Sequence, residues 1–225
     1  MIGTDPRARR ADAARARSQG VRQRADRPSQ RRSAEHAGAR AVARAALIDP
    51  QVRAAGDGGV LEFTGHASVT EQAYEMWDWY GPYMEVVSAG AFDTTLARAD
   101  LDVPLVLGHD QLRRIARTTN GTLDLSVDDQ GLVVAARLDP DDADVAYIAP
   151  KLRAKLIDEM SFAFRIEAGT WSPDYTEYRI DRVDIHRGDV AIVGYGANPY
   201  TDSGLRAGEP GNARARALLA LSLAR

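Results

Sequence analysis

In Leu61–Val69, Met160–Ile166, Tyr178–Ile185 and Val190–Tyr195 the apolar residues recur largely at every second position, in short runs bounded by turn residues. Period two is the pattern of a strand with one buried face, so this part of the chain has to fold around β-sheet. One stretch departs from it. Val145, Ile148, Leu152 and Leu156 fall at three- and four-residue spacing, on one face of a helix. Asp139-Pro140 opens that stretch with an N-cap acid and a proline at the first helical position, and Asp141 and Asp142 follow in the positive first turn. Pro150 is expected to kink or split the helix. Many short strands with one principal helix predict a mainly β, α+β chain: a small antiparallel β-barrel or sandwich with flanking helices.

Local signals refine this. Leu61–Val69 reads as a strand behind Gly58-Gly59, and Tyr74–Tyr83 reads as an aromatic-rich loop ending in Gly81-Pro82. Ser88 is placed to cap a short helix running to Ala99. Pro104–Leu107 is an apolar run that stops at Gly108-His109-Asp110. Arg114–Thr119, a turn at Asn120-Gly121, Thr122–Val127, a second turn at Asp128–Gly131 and Leu132–Leu138 predict a three-stranded antiparallel meander. Met160–Ile166, Tyr178–Ile185 and Val190–Tyr195 complete the strands.

Charge divides the chain in three. Residues 1–50 hold twelve arginines against five acids, a net of +7; residues 51–202 carry -13 and residues 203–225 carry +3. Between Gly3 and Arg40 the only large apolar residue is Val21, too little to offset the ordering of a backbone. The expected organisation is a basic extension over 1–58, disordered or partly helical, a folded domain over 59–202, and a basic tail over 203–225. Leu219 and Leu223 would share a face if that tail forms one short helix. A basic arm suits an acidic partner or nucleic acid, although the acidic middle would repel a duplex.

Several chemistries are excluded or disfavoured. Without cysteine there are no disulfides, thiolate metal sites or cysteine nucleophiles. No stretch approaches the ~20 apolar residues of a membrane-spanning helix, and no phosphate loop or dinucleotide fingerprint is present. The acids of Asp139–Asp144 lack the spacing of a calcium loop, and metal-dependent hydrolysis at His109 and Asp110 would need more histidines. Neither a cofactor nor a metal is expected.

Of four histidines, His36 lies in the arm and His66 inside a strand, where it reads as a paired structural residue. His109 is different, because the end of an apolar run opening into a loop is where a scaffold presents a base. In Met160-Ser161-Phe162-Ala163-Phe164 the alternation sends Met160, Phe162 and Phe164 to one face and Ser161 and Ala163 to the other, leaving room beside the serine. A serine needs a base to become nucleophilic, and an imidazole base needs an acceptor to fix its tautomer. Asp110, Asp189 and His186 are candidates for that acceptor. Asp110 is disfavoured, because adjacent residues on a strand face opposite ways.

These motifs together carry a resemblance. Phe63-Thr64-Gly65-His66-Ala67, Gly90-Ala91-Phe92-Asp93, Gly108-His109-Asp110, Asp129-Gln130-Gly131-Leu132, Met160-Ser161-Phe162-Ala163-Phe164 and Ala197-Asn198-Pro199 occur in that order. In this the chain resembles, from about Leu61 to Thr201, the prohead (capsid-maturation) serine proteases of tailed bacteriophages, relatives in fold of the herpesvirus assemblins. Gly108 and Gly196 stand where that family commonly has asparagine and proline. The resemblance implies a herpesvirus-protease type of barrel, His109 as general base and Ser161 as nucleophile. It implies Asp189 as third member, with His186 as the alternative, since the herpesvirus relatives use a second histidine there. It also implies an endopeptidase that cuts scaffold, major capsid protein and itself inside the assembling prohead in the host cytoplasm, as a homodimer. A catalytically weak scaffold module and a protein binding nucleic acid through its arm are the competing readings.

Overall fold

A computed structural model describes residues 5–28, 41–45, 51–55 and 59–194. In chain order the elements are α1 (Pro6–Gly20), β1 (Ala41–Ala45), β2 (Gln51–Ala55), β3 (Val60–Val69), β4 (Tyr74–Asp78), β5 (Gly81–Val87) and α2 (Asp93–Leu96). There follow β6 (Pro104–Leu107), β7 (Asp110–Arg117), β8 (Leu123–Val127), β9 (Gly131–Leu138), α3 (Ala143–Arg153), β10 (Glu159–Trp171) and β11 (Glu177–Val193).

The strands form two sheets. Four are antiparallel in the order β2-β3-β9-β8. The other sheet has seven strands and branches: β1-β10-β11-β5-β4 is its main path, and β6 joins β11 and carries β7. The 17-residue β11 makes the branch possible, pairing in parallel with β5 near its start and with β6 near its end. Phe63, Leu132, Val134 and Leu138 of the smaller sheet share one core with Met160, Phe162, Phe164, Val190 and Ile192 of the larger. Phe162 and Phe164 stack at 4.3 Å between ring centroids. The sheets come close at Gly65, where an added Cβ would lie 2.8 Å from Met160 Sδ.

The arm contributes to this fold. Asp5 caps α1 by accepting from the Arg7 N–H, with Pro6 in the first turn. With few apolar residues to offer, the helix docks through a cation. Arg17 is fully buried and bonds Asp78 through Nε and Nη2, both at 2.8 Å. Its Nη1 donates to the Tyr175 carbonyl at 2.8 Å, and the guanidinium lies 4.6 Å from the Trp171 ring and 5.2 Å from that of Tyr83. Arg24 and Asp26 then accept hydrogen bonds from Trp171 through their carbonyls. Further on, β1 and β2 extend the two sheets from within residues 1–58.

Several sequence expectations change. Among the described residues the sheets do not close into a barrel, and the larger one is mixed rather than antiparallel. The parallel pairings of β11 make that sheet mixed, and the expected meander breaks at Asn120-Gly121. This pair ends a short 3-10 helix, Thr118–Asn120, with Gly121 left-handed, and carries the chain from one sheet to the other. Consequently β7 pairs with β6, and only the β8–β9 half of the meander forms. Tyr74–Tyr83 is a hairpin rather than a loop, closed where the Asp78 carboxylate accepts from the Tyr80 and Gly81 N–H groups. Ser88 donates to Asp181 instead of capping a helix, and α2 is a single turn. Asp142, not Asp139, caps α3, which ends at Arg153, one turn after Pro150, so Leu156 falls outside it and is exposed. The runs Tyr178–Ile185 and Val190–Tyr195 belong to one strand, β11, broken by a bulge, with Tyr195 beyond the described residues. His36, Ala197-Asn198-Pro199 and the tail over 203–225 also lie outside the described residues.

Candidate active site

His109 owes its position to a two-residue turn. Leu107 and Asp110 close the β6–β7 hairpin, and Gly108 and His109 between them have φ of 62° and 61°. Positive φ at both central positions is what a type I′ hairpin turn requires, and glycine is the natural occupant of the first. At His109 the same backbone costs about 1–2 kcal/mol. The Gly108 N–H donates to the Ile192 carbonyl at 2.9 Å, tying the turn to β11.

Asp189 is aimed by the bulge in β11. Ala163 pairs with Asp189 and Arg165 with Asp184, so β11 advances five residues while β10 advances two. The surplus loops out at 185–188, with Arg187 at a φ of 56°. Such bulges re-aim the side chains beside them. Here the Asp189 carboxylate is nearly buried, and its Oδ1 lies 2.7 Å from His109 Nδ1. Its Oδ2 accepts from Gln111 Nε2 at 2.6 Å. The His109 ring keeps about a quarter of its surface exposed, 24%.

Ser161 stands on the same sheet face as Asp189. It pairs with Ala191 on β11, and Asp189 pairs with Ala163, so the four side chains emerge together on the face opposite Phe162, Val190 and Ile192. Diagonal neighbours across a strand pair are about 7–8 Å apart. Ser161 and Asp189 stand in that relation, a separation that an imidazole hydrogen-bonded at both nitrogens spans. Leu107, which precedes the turn, pairs with Ile192, three residues along β11 from Asp189. Ser161 is itself fully buried.

The other candidates lie elsewhere. His186 Nδ1 accepts from the Asp102 N–H at 3.2 Å and lines a polar cavity of about 560 Å³ with Asp100, Asp102, Thr118 and Arg187. Asp110 accepts from the Leu112 N–H. His66 Nε2 lies 2.9 Å from Asp128 Oδ2, in the smaller sheet. The Asp139 and Asp142 carboxylates accept backbone N–H groups at and before the start of α3. Gln111 was not anticipated from sequence. It stands on β7 two residues after His109, whose left-handed backbone interrupts the strand period, so no local pattern marks it.

A histidine with one nitrogen on a buried carboxylate and a serine on the adjoining face are the elements of acyl transfer. Comparison of the chain with curated proteins and with solved structures gave no match. Residues 49–212 match the family described as Caudovirus prohead serine protease. That match spans most of the chain and contains His109, Ser161 and Asp189, and on it the chain belongs to the prohead serine proteases of the tailed phages.

Proposed function

We propose that the chain is a serine endopeptidase in which Ser161 is the nucleophile, His109 the general base and Asp189 the group that holds the imidazole. The observation that carries this reading is the 2.7 Å contact between His109 Nδ1 and Asp189, made beside the face that bears Ser161. With the Nδ1–H donated to the Asp189 carboxylate, Nε2 carries the lone pair that acts as acceptor. It takes the Ser161 proton as Oγ attacks a peptide carbonyl, and returns it to the departing amine; water then releases the acyl group by the same route. The buried carboxylate stabilises the imidazolium that forms in between.

The substrates of this reading are scaffold and capsid proteins inside the assembling prohead, in the host cytoplasm, and the chain itself. Self-processing is supported by β1. Residues 41–45 precede the family match and pair with β10 along the strand of Ser161, with Arg44 opposite Ser161. Extended peptides bind to sheet edges by this kind of pairing. A homodimer, by analogy with the assemblins, belongs to the same reading, and sedimentation of the purified chain measures it.

Intact masses of wild type and Ser161→Ala after expression test self-processing: wild type should lose part of residues 1–58, and identical masses would overturn it. Incubation with scaffold or major capsid protein tests the wider activity. Discrete fragments should form with wild type only; fragments formed equally by Ser161→Ala would refute the nucleophile.

A further inference from the structure

The buried acid of this site is held from two sides by one hairpin. Asp189 Oδ1 takes His109 Nδ1 at 2.7 Å, and Oδ2 takes Gln111 Nε2 at 2.6 Å. Gln111 is itself fixed by Arg114, whose Nη2 donates to Gln111 Oε1 at 3.2 Å and whose Nε donates to the Gln111 carbonyl at 2.8 Å. A guanidinium only donates, so the amide must turn its oxygen to Arg114 and its N–H to Asp189. The chain Arg114–Gln111–Asp189–His109 therefore has a defined hydrogen-bond direction, ending at the histidine.

We propose that Gln111 is a positioning residue for the reaction: it fixes the Asp189 carboxylate so that one oxygen faces His109 Nδ1. The inference rests on the roles assigned above to His109, Ser161 and Asp189. A carboxylate has acceptor capacity at both oxygens, and one held at a single oxygen can rotate and carry the imidazole with it. Gln111 takes up the second oxygen and covers it, which is consistent with an acid that is 3% exposed beneath a glutamine that is itself open to solvent. Asp110 and Arg114, which flank Gln111 on β7, have partners of their own. Arg114 is engaged with Gln111, and Asp110 with the Leu112 N–H.

The test needs no knowledge of the cleavage sequence. A fluorophosphonate reacts when Ser161 Oγ attacks phosphorus, fluoride leaves and His109 takes the hydroxyl proton, so the labelling rate reports activation of the serine. Gln111→Ala should slow labelling by about tenfold to a hundredfold, the loss expected from misplacing a reacting group by about an ångström. Gln111→Glu, which keeps the size but replaces the donor with a second carboxylate, should slow it at least as much. In an Asp189→Ala background Gln111→Ala should cost nothing further, because its effect runs through the acid. A merely structural role would give additive losses.

Nitrogen-15 NMR of Ser161→Ala protein supplies a readout independent of activity. The protected His109 Nδ1–H signal should be present, and should broaden or vanish when Gln111→Ala is added. Labelling at the wild-type rate with that signal intact, or full additivity with Asp189→Ala, would overturn the role of Gln111. If His109→Ala itself labelled normally, the catalytic reading would fall instead.

Discussion

Two buried carboxylates, Asp78 and Asp189, stand at opposite ends of the β10–β11 strand pair, and their partners are held in opposite ways. Near Trp171 and Tyr175, Arg17 and Asp78 are both buried, at 0% and 1% exposed, and the guanidinium is bidentate and packed on aromatic rings. Near Ser161, the Asp189 carboxylate is nearly as buried at 4%, while its partner His109 is 24% exposed and stands on a turn with positive φ. Burying both charges makes a permanent junction, since neither can be released without leaving the other unpaired. Burying the acid alone leaves an oriented imidazole partly open to solvent. The difference separates a staple from a site, although the distances, 2.8 Å and 2.7 Å, are almost the same.

Substitutions should pull the two apart. The largest effect is on chemistry. His109→Ala and Ser161→Ala should each lower turnover of scaffold protein by several orders of magnitude, and the double variant should lose little more. Thermal unfolding of these variants should stay close to wild type. Losses that multiply would show that the two residues do not act as a unit.

Arg17→Ala should do the reverse. Removing one partner of a buried pair costs about 3–5 kcal/mol, read here by chemical denaturation. Amide exchange over residues 6–20 should rise, while fluorophosphonate labelling of the folded protein stays near wild type. Loss of labelling together with α1 would mean that the two ends are coupled and the contrast is false.

Gly108→Ala is a smaller test. A side chain at φ +62° strains the turn by about 1–2 kcal/mol, and labelling should slow by about tenfold as His109 shifts. An unchanged rate would show that the turn does not set the position of the histidine.

The smallest effect concerns a third pair, open to solvent. Arg117 donates twice to Asp102, at 2.7 Å each. These bonds hold the Asp102 carboxyl below its ordinary value of 3.8. A depressed carboxyl contributes stability that is complete above its ordinary value and is lost as pH falls through the folded one. The pair should therefore matter near neutrality and fade below about pH 4, by less than about 1 kcal/mol. Arg117→Ala should flatten that part of an unfolding-against-pH curve, and an unchanged acid limb would remove the pair from the account.

Legibility in the sequence followed the same physics. Period-two alternation marked β3 and the start of β10, an apolar run marked β6, and flanking turns marked β9, because each of these strands buries one face or both in the core. It also separated the face of Ser161 from that of Phe162 correctly. The helix α1 was less visible, since its anchor is an arginine, and Arg17 reads as one more surface charge until Asp78, Tyr83 and Trp171 are brought around it. β1 and β2 were hidden because strands of alanine and arginine carry no apolar alternation. His109 was legible from the abrupt end of an apolar run. The preference for Asp189 over His186 came from the family resemblance alone; the contact of Asp189 with His109 depends on the bulge at 185–188, a register feature that no local pattern reports. Asn120-Gly121 misled for a related reason: a strong hairpin signal can serve any sharp turn, including one that leaves its sheet.

The most direct measurement is peptide mapping of the fluorophosphonate adduct on wild type and His109→Ala. Hydroxyl activation by the Asp189-bound imidazole predicts a single modified peptide carrying the label on Ser161, and loss of that label when His109 is removed. A label on another residue, or on Ser161 at the same rate without His109, would contradict it.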